Sequence, residues 1–432
     1  MSRQTKGRTW RQRQKRRLKG AKIISLSQKP EYIELFQWAK ENGVVFHKMR
    51  PAIFPGTGRG LMATRQINDG DLLISVPRRL LITGDVLRNY YTDGISQVKR
   101  PNLTTIDLLC LFLIVEKSLG NKSFWSPYVT MLPSQYNTPA YFNHHELSHA
   151  PKFFMEHGQA QLKSIRECYL SLKQFISDEM KKNSVELSFN DVRWAWNAVN
   201  TRCVYLCGES KFGLSNQGEM ACCLAPLLDL LNHSSDVQIQ AGYFGEKQCY
   251  EIYAKTRVKK GGQVFINYGP HSNRKLLIEY GFILANNCHS SVKIESTLVY
   301  DTAAKFNRCL SKRMCDVVSK YNLEATFFCS LNGLSWSLET VLKLLCLEDD
   351  SKIDLKSLCI ESLEVSDENR VLMHILSREI LKSILDNYQK DIARILSENS
   401  NGLSDRMRQL EALLKGEMNV VKNALLSLDL KI

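Results

Sequence analysis

Apolar residues recur at helical spacing through Tyr32, Ile33, Leu35, Phe36 and Ala39, with Gly43 placed as a stop, so a short helix is expected there. The pattern then changes. Leu61 to Ile67 and Leu72 to Val76 are apolar-rich runs separated by Asn68, Asp69, Gly70 and Asp71, which predicts a strand, a turn and a strand, closed by Pro77. From Thr104 to about Asn200 the period is helical: a buried helix through Leu108 to Val115, a charged one through Gln159 to Lys182, and a third opened by Ser188 and Asp191. Strand signals return in Val237 to Tyr243 and Gln248 to Ala254, which alternate around Phe244 to Lys247 as a hairpin does. Val264 to Tyr268 adds another strand after a turn at Lys259 to Gly262. Beyond roughly Thr302 the pattern is helical to the end, with long charged segments such as Ser366 to Glu398 and Ser404 to Leu428. The chain reads as α+β: a β-rich unit, a helical insertion, more β, and a helical C-terminal domain. No fixed-period repeat points to a solenoid.

Composition narrows the class. A chain of 432 residues can bury a sizeable core and favours two or three domains. Its 44% hydrophobic and 24% charged residues are those of an ordinary globular protein. The longest apolar run, Leu108 to Val115, is far shorter than the roughly 20 residues of a membrane span, so no membrane contact is expected. The N-terminus has no apolar signal-like segment, so the 13 cysteines are expected to be reduced thiols; no CxxC pair is present and no metal site is expected.

Charge is uneven. Nine of the first twenty residues are Lys or Arg with no acid among them, so of the net +14 only about +5 belongs to the rest. Such a run reads as a disordered solvated arm, compatible with a nuclear address or a weak nucleic-acid contact, and Trp10 alone is thin support for base stacking.

Three stretches carry candidate chemistry. GTGRGLMATRQINDGDLLISVP, from Gly56 to Pro77, lacks the Lys and Ser/Thr of a phosphate loop, and its GxGxG follows Pro51 and Pro55 rather than a strand, which excludes a dinucleotide fingerprint. A plain tight turn stays open. APLLDLLNHSSD ends an apolar run in Asn232, His233 and Ser234, which taken alone is a helix stop or a chance sequon. FINYGPHSNRKLLIEYGF sets Tyr268 at the end of a strand and Tyr280 at the end of the following helix, positions that core aromatics also fill.

In this order, and with SFWSPYVTMLP (Ser123 to Pro133) and NTRCVYL (Asn200 to Leu206) between them, the stretches resemble the SET-domain protein methyltransferases, specifically the class typified by the Rubisco large-subunit lysine methyltransferase. The resemblance covers about residues 32 to 290 by motif. After the basic arm, taken over 1–30 from its charge, it implies a SET domain over 31–295 with a helical insertion at about 85–225, and a helical substrate-binding domain over 296–432. S-adenosylmethionine would sit against Gly58, Arg59 and Gly60, with Arg202, Asn232 and His233 completing its pocket. Glycine permits close backbone approach, Asn offers a donor and an acceptor to an adenine edge, and Arg202 can fork onto a carboxylate. His233 is expected to act through its backbone more than its ring. Tyr268 would be catalytic, Tyr280 would wall the substrate channel and Asp229 would contact substrate. The implied partner is a protein, a histone tail or another nuclear or cytosolic lysine substrate. Two other readings stay open: a SET-fold module that binds peptide without catalysis, and a nucleic-acid-binding protein driven by the arm.

Overall fold

The computed structural model describes residues 22–92, 103–179, 186–206, 222–347, 366–397 and 403–429. Most of the basic arm, residues 1–21, lies outside them. The chain divides into two compact units: residues up to Tyr141 with Gln159–Pro270, and Phe142–Gly158 with His271 onward.

In the first unit, β1 (Ile24–Ser25) falls in the stretch assigned to the arm, and α1 (Pro30–Glu41) begins on a proline at its first turn and turns Tyr32, Leu35, Trp38 and Ala39 inward. There follow β2 (Val45–Phe46), β3 (Met49–Phe54), β4 (Gly58–Ala63), β5 (Leu72–Pro77) and β6 (Ile82–Thr83). The insertion carries α2 (Gly84–Thr92), α3 (Thr105–Leu119) and α4 (Ser126–Val129); its α5 (His144–His149) and the start of α6 (Lys152–Glu179) belong to the second unit, and from Gln159 the rest of α6 and α7 (Phe189–Arg202) belong to the first. Thr104 and Asp107 close a capping box on α3, whose residues Asp107 to Ile114 are all buried, and Ser188 caps α7. The unit ends with β7 (Val204–Tyr205), β8 (Cys222–Leu224), β9 (Asn232–His233), β10 (Ile239–Phe244), β11 (Cys249–Ala254) and β12 (Gln263–Ile266).

Three sheets result, with strand orders β1-β3-β4-β12-β9, β10-β11-β5-β2 and β6-β8-β7. Here the structure corrects the sequence reading. The two apolar runs around Asn68–Asp71 are strands, but β4 and β5 belong to different sheets; the hairpin is β3 with β4, from Met49 opposite Ala63 to Phe54 opposite Gly58. So a strand does precede the glycines. It contains Pro51, which lacks an N–H to donate but accepts on its carbonyl from Leu26 N at 3.0 Å, beside the two-residue outer strand β1.

The second unit has its own buried core, built from α8 (Ser296–Ala304), α9 (Lys312–Lys320), α10 (Trp336–Cys346), α11 (Asp367–Ser397) and α12 (Asp405–Asp429). It also holds a small antiparallel sheet of β13 (Ser291–Lys293), β14 (Phe328–Ser330) and β15 (Gly333–Leu334), the last two inside the region read as helical throughout. Strands of two or three residues are too short to show a period of two. Arg274 reaches Glu417 with both ends of its guanidinium, at 2.9 and 2.6 Å, while Tyr388 donates to the same carboxylate at 2.6 Å.

Candidate active site

The glycine stretch is the end of the β3–β4 hairpin. Gly56 and Gly58 have φ of 89° and 70°, a backbone region that costs other residues strain, and around the point where Gly58 would carry a Cβ there is open space. Gly60 is needed for a different reason. A Cβ there would lie 2.6 Å from Gln263 Nε2 and 2.8 Å from Asn232 Nδ2, so two amide side chains occupy the space that a side chain would take.

Those amides come from β12 and β9. The first half of β12 pairs with β4, Gln263 opposite Met62, and its second half runs parallel to β9, with Phe265 opposite Asn232 and Ile266 opposite His233. One strand thus joins the hairpin to the Asn-His-Ser motif. Asn232 Nδ2 donates to the Arg59 carbonyl at 2.8 Å, and Thr57 Oγ1 donates to Gln263 Oε1 at 2.7 Å, so the loop is held from both sides.

Beside this loop lies a cavity of about 60 Å³ lined by Arg59, Arg202, Asp229 and Asn232, with Tyr128 and Met131. Whole ligand pockets run to about 300–1,000 Å³, so the space is the polar floor of a site rather than the whole of one. Arg59 donates from Nη1 to the Met131 carbonyl at 2.9 Å. Arg202 ends α7, donates to Thr201 Oγ1 at 2.6 Å and brings Nε to 3.6 Å from Asp229 Oδ2. The Asp229 side chain is only 6% exposed. Burial pushes its carboxyl above the ordinary range, opposed by the Arg202 guanidinium and then by the Tyr128 hydroxyl. The sequence reading set Asp229 apart as a substrate contact; the structure brings it into the same cavity as the cofactor candidates. The donor set, two guanidinium groups and an amide against the apolar Leu35 and Leu132, fits a ligand with a carboxylate at one end.

Tyr268 follows β12 and is fixed three ways. Its backbone N–H donates to His233 Nδ1 at 3.0 Å, its ring stacks on the His233 ring at 5.0 Å and 26°, and its hydroxyl donates to the Leu231 carbonyl at 2.7 Å. The His233 ring, 3% exposed, therefore has a task of its own beyond the backbone role expected of it. Accepting on Nδ1 places its proton on Nε2, the neutral tautomer. Asn267 steadies the same turn, accepting from Gly269 N at 2.8 Å and donating to the Val237 carbonyl at 3.2 Å.

Tyr280 belongs to the second unit. It ends a π-helical turn, Leu276–Tyr280, with Gly281 left-handed at φ 77°, and its ring stacks on His271 at 6.1 Å. Asn273 and Asn287 brace both ends of this segment. Asn273 exchanges two hydrogen bonds with the backbone of Leu284, and Asn287 donates to the His271 carbonyl.

Sequence reasoning missed Gln263, Asn267, Asn273 and Asn287. Each is a single amide in a strand or turn, where a buried tie and a solvated polar residue look alike; only the spacing of Asn267 beside Tyr268 hinted at a role.

The SET-domain sequence profile matches residues 58–269. SET domain-containing protein 4 of Homo sapiens is 32% identical over 427 residues, 96% of each chain. The actin-histidine N-methyltransferase of Homo sapiens is 27% identical over 96% of this chain and 71% of its own length. Among solved structures, the SET domain of LSMT bound to lysine and AdoHcy aligns with a TM-score of 0.60 at 22% identity, covering 94% of this chain and 92% of that one. With the hairpin, the Asn-His-Ser strand and the fixed tyrosine in place, this chain belongs to the SET-domain family.

Proposed function

We propose that the chain is an S-adenosylmethionine-dependent protein methyltransferase, and that its acceptor is a lysine of a histone tail or another nuclear or cytosolic protein. The observation that carries this reading is the triple fixation of Tyr268 just beyond the strand that also pairs with the glycine hairpin and with Asn232. The relatives support it: one is named a methyltransferase, and a solved neighbour holds lysine with AdoHcy.

S-adenosylmethionine, when bound, supplies a methyl group on a positively charged sulfur. The chain's own residues bind and orient. Arg202 is placed to take a carboxylate, Asn232 keeps the Arg59 carbonyl from turning, and Gly58 and Gly60 keep the hairpin bare of side chains. The hydroxyl of Tyr268 commits its proton to Leu231, so its oxygen is turned toward other partners as an acceptor. That suits a group which must align an amine with a cationic methyl, a task of orientation more than of acid-base chemistry. Presenting a lysine neutral at pH 7 costs about 4 kcal/mol, and a neighbouring positive charge at about 4 Å offsets a similar amount at an effective dielectric near 20. No general base is required of His233, whose Nδ1 is already engaged. Tyr280 is the proposed substrate contact on the second unit.

A histidine acceptor is the second reading, favoured by the likeness to the actin-histidine enzyme. The test is incubation of the full chain with radiolabelled S-adenosylmethionine and histones or cell extract, followed by acid hydrolysis of the labelled protein. Labelled Nε-methyllysine is expected. Labelled methylhistidine would carry the second reading, and calorimetry showing no S-adenosylmethionine binding to the folded protein would end both.

A further inference from the structure

Arg193 stands in the first unit with its Nε buried and, among the described residues, without a hydrogen-bond partner. Its guanidinium lies over the ring of Tyr141, Cζ 4.7 Å from the centroid. Both residues line a second cavity of about 450 Å³, enclosed by the end of α3, the segment Ser126–Gln135 and the first turns of α7. Its size is that of a ligand pocket, unlike the floor beside Arg202. Leu132 is the one residue common to the linings of both cavities, so the second backs on the first without being part of it.

The charges in this cavity are not balanced alike. Lys117 has a carboxylate 3.5 Å away on Asp191 and lies 4.2 Å over the ring of Trp194. Glu116 accepts the hydroxyl proton of Ser123. Trp194 spends its N–H on the Pro133 carbonyl at 2.9 Å. Arg193 alone among these groups meets only a ring face. A guanidinium stacked on an aromatic keeps its N–H bonds in its own plane, where they can fork onto a planar anion, and a buried N–H left unmade costs on the order of 1–3 kcal/mol. Val129, Leu132 and the Trp194 ring supply an apolar wall beside it.

We propose that this cavity is a binding site for a small carboxylate carried on a flat apolar body, with the carboxylate on Arg193 and the body against Trp194 and Val129. It is a site distinct from the one proposed for the cofactor, and its existence does not depend on the methyl-transfer reading.

The probe is 3-phenylpropionate, followed by ligand-observed NMR with the full chain. Saturable binding with a Kd of about 1–5 mM is expected for a ligand of this size. The uncharged 3-phenylpropionamide, which needs no variant, should bind at least fivefold more weakly. Arg193→Met, which keeps a stem on Tyr141 and removes the donors, should lose the acid's advantage over the amide while its melting temperature is retained. S-adenosylhomocysteine should not displace the probe. No saturation by 20 mM, equal binding of acid and amide to the wild type, or displacement by S-adenosylhomocysteine would each overturn the proposal.

Discussion

Replacing Gly60 by Ala tests the construction of the hairpin site. The added methyl would stand 2.6 Å from Gln263 Nε2 and 2.8 Å from Asn232 Nδ2, against ordinary contacts of 3.4 Å or more, so both amides must retreat by roughly 0.6–0.8 Å. Asn232 cannot do so and keep its 2.8 Å bond to the Arg59 carbonyl, and Gln263 is tied to Thr57 at 2.7 Å. Two neutral hydrogen bonds at about 0.5–1.5 kcal/mol each, with overpacking of about 1–3 kcal/mol, set the expected loss at about 2–6 kcal/mol of folding stability. Cofactor affinity should fall with it, by tenfold or more, because the Arg59 carbonyl and the Asn232 amide shift together. Gly58→Ala is the control: it meets nothing within 4 Å and should cost only the roughly 1 kcal/mol of a left-handed residue. Urea denaturation and calorimetric titration of S-adenosylmethionine measure both quantities. Removing the obstacle by Gln263→Ala in the Gly60→Ala background should recover part of the loss, a non-additivity of at least 0.5 kcal/mol. A Gly60→Ala protein with wild-type stability and affinity, or strict additivity in the double variant, would refute the packing argument.

Other outcomes rest on the same contacts. Tyr268→Phe should bind S-adenosylmethionine within about twofold of wild type while single-turnover methyl transfer falls by about 10²-fold or more, and an unchanged rate would remove the hydroxyl from the reaction. Arg202→Met should weaken S-adenosylmethionine binding by at least tenfold in calorimetry. Asp229 has its carboxyl raised by burial, so the folded protein holds that proton to higher pH than the unfolded chain does; the wild type's stability relative to Asp229→Asn should decline as pH rises above the ordinary value of 3.8, measured by denaturant unfolding across pH 3–8. Glu417→Gln strips Arg274 of its counter-charge where the carboxylate side chain is 6% exposed, and should destabilise by about 3 kcal/mol, with much of the loss returned by Arg274→Met in the same chain.

The sequence showed elements well where the period was long or a cap was explicit. The run of Leu108 to Ile114 is buried on every face, and Ser188 caps α7 as its spacing with Asp191 implied. Pairing was harder to see, because apolar runs separated by a turn look the same whether they join each other or two different sheets, and β4 and β5 do the latter. In the site, Arg59, Arg202 and Asn232 line one cavity, since their motifs are tied to strand and helix ends. The imidazole's hold on Tyr268 was hidden: a histidine beside an asparagine gives no sign of which of its atoms does the work. Gln263 was hidden more completely, because the need for an amide there is written in the absence of a side chain at Gly60.

The short sheet β6-β8-β7 reaches beyond its seven paired residues. Ile82 lies opposite Leu224 and Thr83 opposite Cys223, so the chain leaves the β-rich body and returns to it at the same doorstep, about 140 residues later. The described part of the insertion is tied back at further points, among them the Arg59 bond to the Met131 carbonyl and the packing of Trp38 on Trp125. Segments with neighbouring ends can lengthen, shrink or be exchanged without tugging on the surrounding backbone. Strand β12 takes its pairing from β4 and β9, neither of which lies in the insertion, so new surface can be added to the insertion away from those ties over evolutionary time while the hairpin and Tyr268 stay where they are.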